Sequence, residues 1–204
     1  TTIGRHGIDG VLGMSYQQSQ TRTSLAEGQD FPSDAYRMIV SAARKTNATS
    51  TQLDYRFLSY FARANYKFND RYLLGLSARI DGSSRFGRDS RYGFFPAASA
   101  GWVLSEENFL KNNRTISFLK LRASYGRTGN AEIQRAGVVQ NFAQLGLFNG
   151  DAGYAALPGQ RPFQLANPNL RWETTDQADV GIDFGFLNNR ISGEVDYYNK
   201  QTTG

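Results

Sequence analysis

Residues 57–102 read FLSYFARANYKFNDRYLLGLSARIDGSSRFGRDSRYGFFPAASAGW and follow a two-residue period over most of their length. Successive side chains of a β-strand point to opposite faces, so this period predicts two strands with one apolar and one polar face. The break at Asn69-Asp70-Arg71 predicts a tight hairpin turn. The predicted apolar face carries Leu58, Tyr60, Ala62, Ala64, Tyr66, Phe68, Tyr72, Leu74, Leu76, Ala78 and Ile80, and the polar face carries Ser59, Arg63, Asn65, Lys67, Gly75, Ser77, Arg79 and Asp81.

The same alternation recurs along the chain and predicts about seven antiparallel strands. The two strands of the hairpin are each about ten residues long, which is the length that crosses a bilayer at a tilt. Near the end of the chain, Asn188-Asn189 predicts a two-residue turn with both residues at positive φ, which sets Asp183 opposite Glu194 and Gly181 opposite Asp196. The predicted strands are 8–20, 57–68, 72–81, 94–104, 118–128, 172–186 and 191–200.

The connections between these strands fall into two sets if the strands run alternately up and down. The long connections 21–54, 81–93 and 129–171 then lie on one side, and two tight turns and one short helical link lie on the other. Soluble sandwiches do not sort their loops by length, whereas outer-membrane barrels have short periplasmic turns and long extracellular loops. The sorting therefore favours a transmembrane β-barrel segment.

Two short helices are expected within the connections. In the first long connection, Pro32-Ser33-Asp34 is a helix-start signal, and the short helical link is expected to begin with Ser105 as its N-cap. The residues at helical spacing in the first long connection are Ala35, Met38, Ile39, Ala42 and Ala43.

The two tryptophans occupy positions on the predicted apolar face of their strands. Trp102 is near the proposed periplasmic end, and Trp172 is near the proposed extracellular end. Aromatic rings at both interfaces are typical of a membrane girdle. The alternative is that both tryptophans anchor the core of a sandwich.

Composition narrows the function classes without separating a barrel from a sandwich. The chain has 14 Phe, 11 Tyr and 21 Gly in 204 residues, and its mean hydropathy is −0.51. The absence of cysteine excludes disulfides and thiolate metal sites. The net charge is +5 and the 23 basic residues are spread along the chain, which argues against a nucleic-acid partner. There is no apolar run of transmembrane-helix length and no secretory signal. The chain starts abruptly at TTIGRHG and ends at NKQTTG, within or just after strand-like patterns, so we expect a piece of a longer protein.

Three segments of the chain resemble the SusC/RagA family of TonB-dependent outer-membrane transporters. FFPAASAGWVLSEENF (94–109) resembles the family too, and the resemblance covers most of the chain from about Leu58 onward. The three segments are YLLGLSARIDGSSRFG (72–87), LKLRASYGRTGN (119–130) and NPNLRWETTDQADVGIDFGFLNNRISGEVDYYNKQTT (167–203).

The resemblance implies the C-terminal half of a 22-stranded barrel in the outer membrane of a Gram-negative, Bacteroidetes-type bacterium. Such barrels hold an N-terminal plug domain, are energised by TonB and import oligosaccharides, glycans or peptides together with a SusD-like surface lipoprotein. The expectation is therefore that residues 1–204 are a partial barrel domain, with the plug, the TonB box and the signal peptide outside this chain. Seven strands cannot close such a barrel, so transport is expected only of the complete protein.

No enzymatic constellation is visible, and the sequence predicts no catalytic residue, metal or cofactor. His6 is the only histidine, so Ser-His, Cys-His and zinc sites lack support. Opposed carboxylates repel each other, so Asp183 and Glu194 need a cation or water nearby, and Lys120 and Arg122, which point to the same side, are the candidate cations. These residues are interpreted as a solvated lumen wall, with a ligand- or plug-contacting patch and a glycosidase-like acid pair as alternatives.

The long connections supply the other candidate ligand-binding residues, because loops on a rigid scaffold commonly carry binding. In the second connection, cationic and aromatic side chains could stack on sugars or grip acidic groups, although the resemblance to the family favours a role in loop architecture. The third connection is the better candidate for contact with substrate or a lid. The candidates are Arg85, Arg88, Arg91 and Tyr92 in the second connection and Tyr154 and Phe163 in the third.

The expected function is that of the barrel wall of a TonB-dependent importer. One alternative is a non-energised outer-membrane pore or adhesin with the same barrel. The other is a soluble all-β carbohydrate-binding module, which would bury Leu74, Leu76, Val180 and Ile182 against a second layer of protein.

Overall fold

The computed structural model describes residues 2–135, 138–155 and 157–204 and is built around one large antiparallel sheet. The strands in chain order are β1 (Thr2–Ile3), β2 (His6–Gln29), β3 (Arg44–Phe68), β4 (Tyr72–Ser83), β5 (Tyr92–Val103), β6 (Ile116–Asn130), β7 (Gln134–Arg135), β8 (Val138–Val139), β9 (Leu147–Tyr154), β10 (Leu157–Gln164), β11 (Glu173–Phe186) and β12 (Ile191–Thr203). The eight-stranded sheet has the order β1-β2-β3-β4-β5-β6-β11-β12, so each long strand pairs with the next long strand along the chain.

Helical structure in the described residues is limited to three 3-10 turns, Ile39–Ser41, Arg88–Ser90 and Leu104–Glu106. None of these has the length and apolar character that a membrane-crossing helix requires.

The two predicted hairpins and their registers are confirmed. Asn69 and Asp70 have φ of 54° and 53°, and Arg71 N donates to Phe68 O at 3.0 Å. Asn188 and Asn189 have φ of 58° and 59°, as predicted, and the preceding Leu187 also has a positive φ. The register between β11 and β12 sets Asp183 opposite Glu194 and Gly181 opposite Asp196.

The apolar face of the sheet is open. Leu74, Leu76, Val180 and Ile182 are 45%, 52%, 59% and 41% exposed, so no second layer of the described residues covers them. The soluble-sandwich interpretation requires that layer and is not favoured. We call this side the apolar face and the opposite side, which carries Ser59, Asp81, Lys120 and Arg122, the polar face.

The apolar face forms a band with a defined border. Along β2 and β3, the pair Tyr16 and Leu58 is followed two residues further on by the polar pair Gln18 and Arg56. On β6 and β11 the border lies at the ion pair of Arg127 with Asp176, at 2.8 Å. From its border with Arg56, the apolar positions of β3 run from Leu58 to Phe68, which matches the about 9–11 residues that a strand needs to cross a bilayer.

The expected loop 21–54 is largely strand, and the helix expected within it is absent. β2 and β3 are 24 and 25 residues long and pair with each other as far as Gln29 and Arg44. Their distal halves carry Ser, Thr and Gln on both faces, so no apolar period marked them as strand. Of the predicted helix, only the 3-10 turn Ile39–Ser41 forms, and Ala42 is buried.

The lengths of the connections follow the predicted sorting only in part. The longest connection, 131–172, lies on the expected side and contains the hairpins β7–β8 and β9–β10. On the other side, 69–71 and 187–190 are tight turns, but the link 104–115 is longer than the loop 84–91. The link begins with the 3-10 turn at Leu104, so Ser105 is not its N-cap and no side chain caps it.

Trp172 does not face outward as predicted. It is 7% exposed and lies just before β11, where the alternation of a strand no longer fixes the direction of its side chain. Its indole packs against Phe86 and Phe95 at ring-centroid distances of 5.0 and 5.3 Å, and Phe57 meets it edge-on at 5.9 Å. We call these residues the aromatic anchor. They form a small core that holds the loop 84–91 and the connection 131–172 against the polar face.

Trp102 lies at the opposite end of the sheet, on the apolar face, and forms part of a clamp centred on Glu107. The Glu107 carboxylate accepts hydrogen bonds from the Tyr72 hydroxyl at 2.7 Å, the Trp102 indole N–H at 3.0 Å and the Arg71 guanidinium at 3.2 Å. The side chain of Glu107 is only 14% exposed. The clamp therefore ties the turn between β3 and β4 to the link between β5 and β6.

An arginine is expected to be costly on the apolar face and tolerated on the polar face of the same strand. Ala98 and Ser99 are neighbours on β5, and their side chains lie on opposite faces. In the full-length gene product, Ala98→Arg should lower the free energy of unfolding in lipid by about 2–4 kcal/mol, and Ser99→Arg by much less. Urea titration in liposomes measures both. Equal losses would contradict the assignment of faces.

Acid is expected to weaken the clamp at Glu107. The Tyr72 hydroxyl, the Trp102 indole N–H and Arg71 hold the pKa of Glu107 below its ordinary value. Its stabilising contribution is therefore complete above the ordinary glutamate pKa of about 4.3 and is lost as the pH falls through the lower folded pKa. The difference in Tm between wild type and Glu107→Gln should be largest near neutral pH and shrink below about pH 4.

The matched control for this experiment is Glu106→Gln, since the carboxylate of Glu106 is half-exposed and meets only Lys111, at 3.7 Å. This variant should follow the wild type at every pH. A constant gap in Tm between wild type and Glu107→Gln from pH 7 to pH 3 would refute the ionic role of Glu107.

Candidate functional site

The charged residues predicted on the polar face form one network across three strands. Arg122 on β6 donates to Asp183 on β11 at 2.9 Å, and its terminal nitrogen reaches Glu194 at 3.2 Å and Asp196 at 2.7 Å on β12. Lys120 contacts Asp183 at 3.5 Å. The structure therefore brings together the four residues that the sequence assigned to one face, and it adds Asp196.

Gly181 makes the reach of Arg122 possible. In the sheet register Gly181 lies between Arg122 on β6 and Asp196 on β12. A Cβ at this position would overlap the Asp196 carboxylate and lie 3.0 Å from the Arg122 guanidinium. Because Gly181 has no side chain, the Arg122 side chain of β6 can pass over β11 and reach Asp196 on β12. The sequence signal for Asp196 was its predicted pairing with a glycine.

Three carboxylates share two cations in this network. The side chains of Asp183, Lys120 and Arg122 are 23%, 27% and 34% exposed, whereas that of Glu194 is 71% exposed. Opposed carboxylates repel unless a cation lies between them, and Arg122 fills that role for Asp183 and Glu194. None of the carboxylates lies in an apolar pocket of the kind that keeps a general acid protonated, so the arrangement suits polar binding better than acid–base catalysis.

A hollow of about 570 Å³ adjoins the network on the polar face. Its polar-face lining combines cations at Lys67, Lys120 and Arg122 with small residues such as Gly75 and Ser99. The small side chains leave room above the strands, and the surrounding charges offer both donors and acceptors. The hollow can therefore accommodate a polar ligand on the polar face of the sheet.

Arg85, a predicted ligand residue, is engaged with the protein itself. Its guanidinium lies 4.5 Å from the ring centroid of Tyr55 and donates to Asn141 Oδ1 at 2.8 Å and to Ala131 O at 3.3 Å. Arg85 therefore fastens the loop 84–91 to the connection 131–172, beside the aromatic anchor. This geometry favours the loop-architecture role that the sequence resemblance indicated.

The remaining predicted ligand residues do not converge on the charge network. Arg88 and Arg91 are exposed in and beside the 3-10 turn, and Phe163 is exposed on β10. Tyr92 lies on the apolar face, where its ring covers Gly82. The side chain of Tyr154 lies outside what the structure describes. Residues 2–135, 138–155 and 157–204 contain no group of three or more His, Asp or Glu side chains arranged to hold a metal ion.

The chain matches the protein family described as TonB dependent receptor-like, beta-barrel, over residues 2–204.

Curated relatives share about a third of the sequence. The TonB-dependent receptor SusC of Bacteroides thetaiotaomicron is 37% identical over 207 residues, and TonB-dependent receptor P3 of Formosa agariphila is 34% identical over 203 residues. Each alignment covers 98% of this chain and 20% of the relative. The chain thus spans about a fifth of the length of these relatives.

Solved structures show the same arrangement of strands. A structure of the RagAB peptide transporter superposes with a TM-score of 0.89 at 28% identity, covering 98% of this chain and 22% of the matched chain. The RagAB peptide importer in its open-open state gives a TM-score of 0.87, again at 28% identity, covering 98% of this chain and 22% of that chain.

Removing Arg122 is expected to leave mutually repelling carboxylates on the wall. Arg122→Ala should lower the free energy of unfolding of the full-length gene product only modestly, because the network is partly solvated. Lys120→Ala should cost less, since its one contact is longer. The loss should shrink in about 1 M salt, which screens the repulsion. If Arg122→Ala and Asp183→Ala prove fully additive in the double variant, the network is not coupled.

Proposed function

The chain belongs to the TonB dependent receptor-like β-barrel family, and we propose that it forms part of the wall of a TonB-dependent transporter in the outer membrane of a Gram-negative, Bacteroidetes-type bacterium. The observation that carries this proposal is the separation of the sheet into an exposed apolar band and a charged polar face. Outer-membrane barrels place the first against lipid and the second along the lumen. In this orientation the distal parts of β2 and β3, the loop 84–91 and the connection 131–172 project from the cell.

The complete protein imports oligosaccharides, glycans or peptides into the periplasm and draws energy from the TonB system. The similarity to SusC supports this class of transport, and so does the similarity to the RagAB peptide transporter. In this proposal, residues 1–204 are part of a 22-stranded barrel domain, and the plug and the TonB box lie in other parts of the protein. The wall network of Lys120, Arg122, Asp183 and Glu194 then faces the plug or the passing substrate.

A SusD-like surface lipoprotein is the proposed partner at the extracellular side. The hairpin of β9 and β10 and its flanks supply the supporting observation, because Phe148, Leu157, Phe163 and Leu165 are 64%, 68%, 63% and 85% exposed. Exposed apolar side chains clustered on a projecting loop are characteristic of protein contacts. Arg88, Arg91 and Phe163 remain proposed contacts for ligands at this mouth.

Loss of energised uptake is the expected result of deleting the gene. The deletion strain should fail to take up one class of labelled oligosaccharide or peptide, and the full-length gene should restore uptake. Dissipating the proton-motive force should abolish the restored uptake, because a TonB-dependent importer needs that energy. The class of substrate whose uptake is lost identifies the cargo.

The same experiment separates the alternatives. Uptake that survives dissipation of the proton-motive force would identify a non-energised pore, and unchanged uptake of every substrate would favour an adhesin. The matched control is a strain carrying the gene with Glu106→Gln, which changes a half-exposed carboxylate of the link 104–115 away from the hollow and should restore uptake as the wild-type gene does. A monodisperse folded protein in the absence of detergent would instead support the soluble carbohydrate-binding module.

A further inference from the structure

The outer part of β3 has a neighbouring strand on one side only. β3 pairs with β2 as far as Arg44, whereas its pairing with β4 ends at Phe57, opposite Ser83. Beyond that point the chain turns into the loop 84–91, and the described residues place no other strand beside residues 44–56 on the β4 side. We call this side of residues 44–56 the free edge. It lies beyond the border of the apolar band, outside the membrane in the proposed orientation.

The hydrogen bonds at the base of the free edge show which backbone groups point toward it. Ser84 N donates to Arg56 O at 3.0 Å, and Arg56 N donates to Ser84 Oγ at 2.9 Å. In an antiparallel ladder the N–H and C=O groups of one residue point to the same side, and those of the next residue point to the opposite side. Every second residue outward from Arg56 therefore points to the free edge as well. These residues are Asp54, Gln52, Ser50 and Ala48.

The residues that point to the free edge present unpaired donors and acceptors at a regular spacing. Among the described residues, none hydrogen-bonds to their backbone groups on this side, and Ala48, Ser50 and Gln52 are exposed. Their positions along the strand are about 7 Å apart, which is the repeat of a β-strand over two residues. A polypeptide in extended conformation has the same repeat and can therefore add to this edge as a strand.

The usual protection of a sheet edge is missing from this stretch. Natural proteins place lysines, prolines or bulges on exposed edges, but residues 48–53 read ATSTQL, and the bulge of β3 lies further out, between Lys45 and Asn47. The side chains of 48–51 are short, so they cannot select among the side chains of an added strand. The edge would therefore recognise a backbone and not a sequence. A third strand would also stabilise the ribbon of β2 and β3, because two-stranded ribbons are only marginally stable.

The base of the free edge adjoins the segments that cover the polar face. The Tyr55 ring lies 4.5 Å from the guanidinium of Arg85, and Ser84 O accepts a hydrogen bond from Gln144 Nε2 at 3.2 Å. Ser84 and Arg85 belong to the loop after β4, and Gln144 belongs to the connection 131–172. A strand added to the free edge would therefore run from the outer end of the ribbon toward the mouth of the proposed lumen.

We propose that the free edge of β3 binds an extended peptide, which adds to the sheet as a strand and is cargo of the importer. The inference rests on the proposed function, and it selects peptides from the classes of cargo named there. Cargo of varied sequence suits an edge that offers backbone groups and short side chains. A fixed partner protein is instead recognised mainly through a few large side chains, which this stretch does not provide.

Residue-resolved amide hydrogen exchange of the full-length gene product tests the proposal. The probe is a synthetic heptapeptide of alternating threonine and serine. It should slow exchange at least about tenfold at Ala48, Ser50 and Gln52, because their unpaired N–H groups gain partners. Exchange at Thr49 and Thr51 should change much less, since the backbone groups of these residues point to β2 and are already paired.

A proline in the free edge should block the added strand. Ser50→Pro removes one N–H group of the edge and places the proline ring where the peptide would lie, while the hydrogen bonds to β2 remain. This variant should bind the heptapeptide at least about tenfold more weakly than wild type. The matched control is Ser50→Ala, which keeps the backbone N–H and should bind as wild type does.

Methylated peptides decide the question in the wild type if Ser50→Pro fails to fold. Two N-methyl groups at the third and fifth residues of the heptapeptide lie on one edge and leave the other edge able to pair, so binding should be unchanged. Two N-methyl groups at the third and fourth residues obstruct both edges and should weaken binding about tenfold. Equal binding of the two methylated peptides would overturn the proposal.

Three further outcomes would overturn the proposal. The first is equal slowing of exchange at Ser50 and Thr51, and the second is slow exchange at Ser50 before any peptide is added, which would show that another part of the protein covers the edge. The third is loss of a co-purified surface lipoprotein from Ser50→Pro with unchanged peptide binding, which would assign the edge to that partner. A protein that binds the peptide in the expected pattern but imports nothing would refute the transport proposal and leave this site standing.

Discussion

Hydrogen bonding of the backbone is the constraint on which the structure depends. No water is available inside a bilayer, so every N–H and C=O group of a crossing strand needs a partner on a neighbouring strand. β3, β4 and β11 meet this requirement, because each of them is paired on both sides through the apolar band. Once the register is set, the two-residue period places apolar side chains on one face and charged side chains on the other. A shift of the register by one residue would exchange the two faces.

The connections at the extracellular side are extensions of the sheet and not loose appendages. The aromatic anchor around Trp172 gives the otherwise single-layered protein its one buried cluster in the described residues, and Arg85 adds a second fastening through Asn141. Both lie over the polar face, so in the proposed barrel they would occupy space at the mouth of the lumen. A rigid base of this kind can present the exposed hairpin of β9 and β10 in a fixed position.

The sequence predicted the parts of the fold in which an apolar period and a turn coincide. The hairpin at Asn69-Asp70, the register at Asn188-Asn189 and the grouping of Arg122 with Asp183 all follow from alternation combined with a recognisable turn. The distal part of β2 and β3 escaped detection because polar side chains occupy both faces and leave no period to count. The direction of the Trp172 side chain was predicted wrongly for a related reason. The alternation of the strand was extended to the residue before β11, where the backbone no longer imposes it. Nothing in the sequence indicated the clamp at Glu107, because the three residues that donate hydrogen bonds to its carboxylate come from separate segments of the chain.

The strand order carries a consequence for how such a wall is made and how it diversifies. Because each long strand is neighboured by its predecessor and successor in the chain, the sheet can grow by successive addition of hairpins without any strand threading between two others. The connection 131–172 joins adjacent strands, β6 and β11, whose pairing does not depend on what lies between them. Evolution can therefore lengthen, shorten or replace the connection 131–172 while β6 and β11 keep their register.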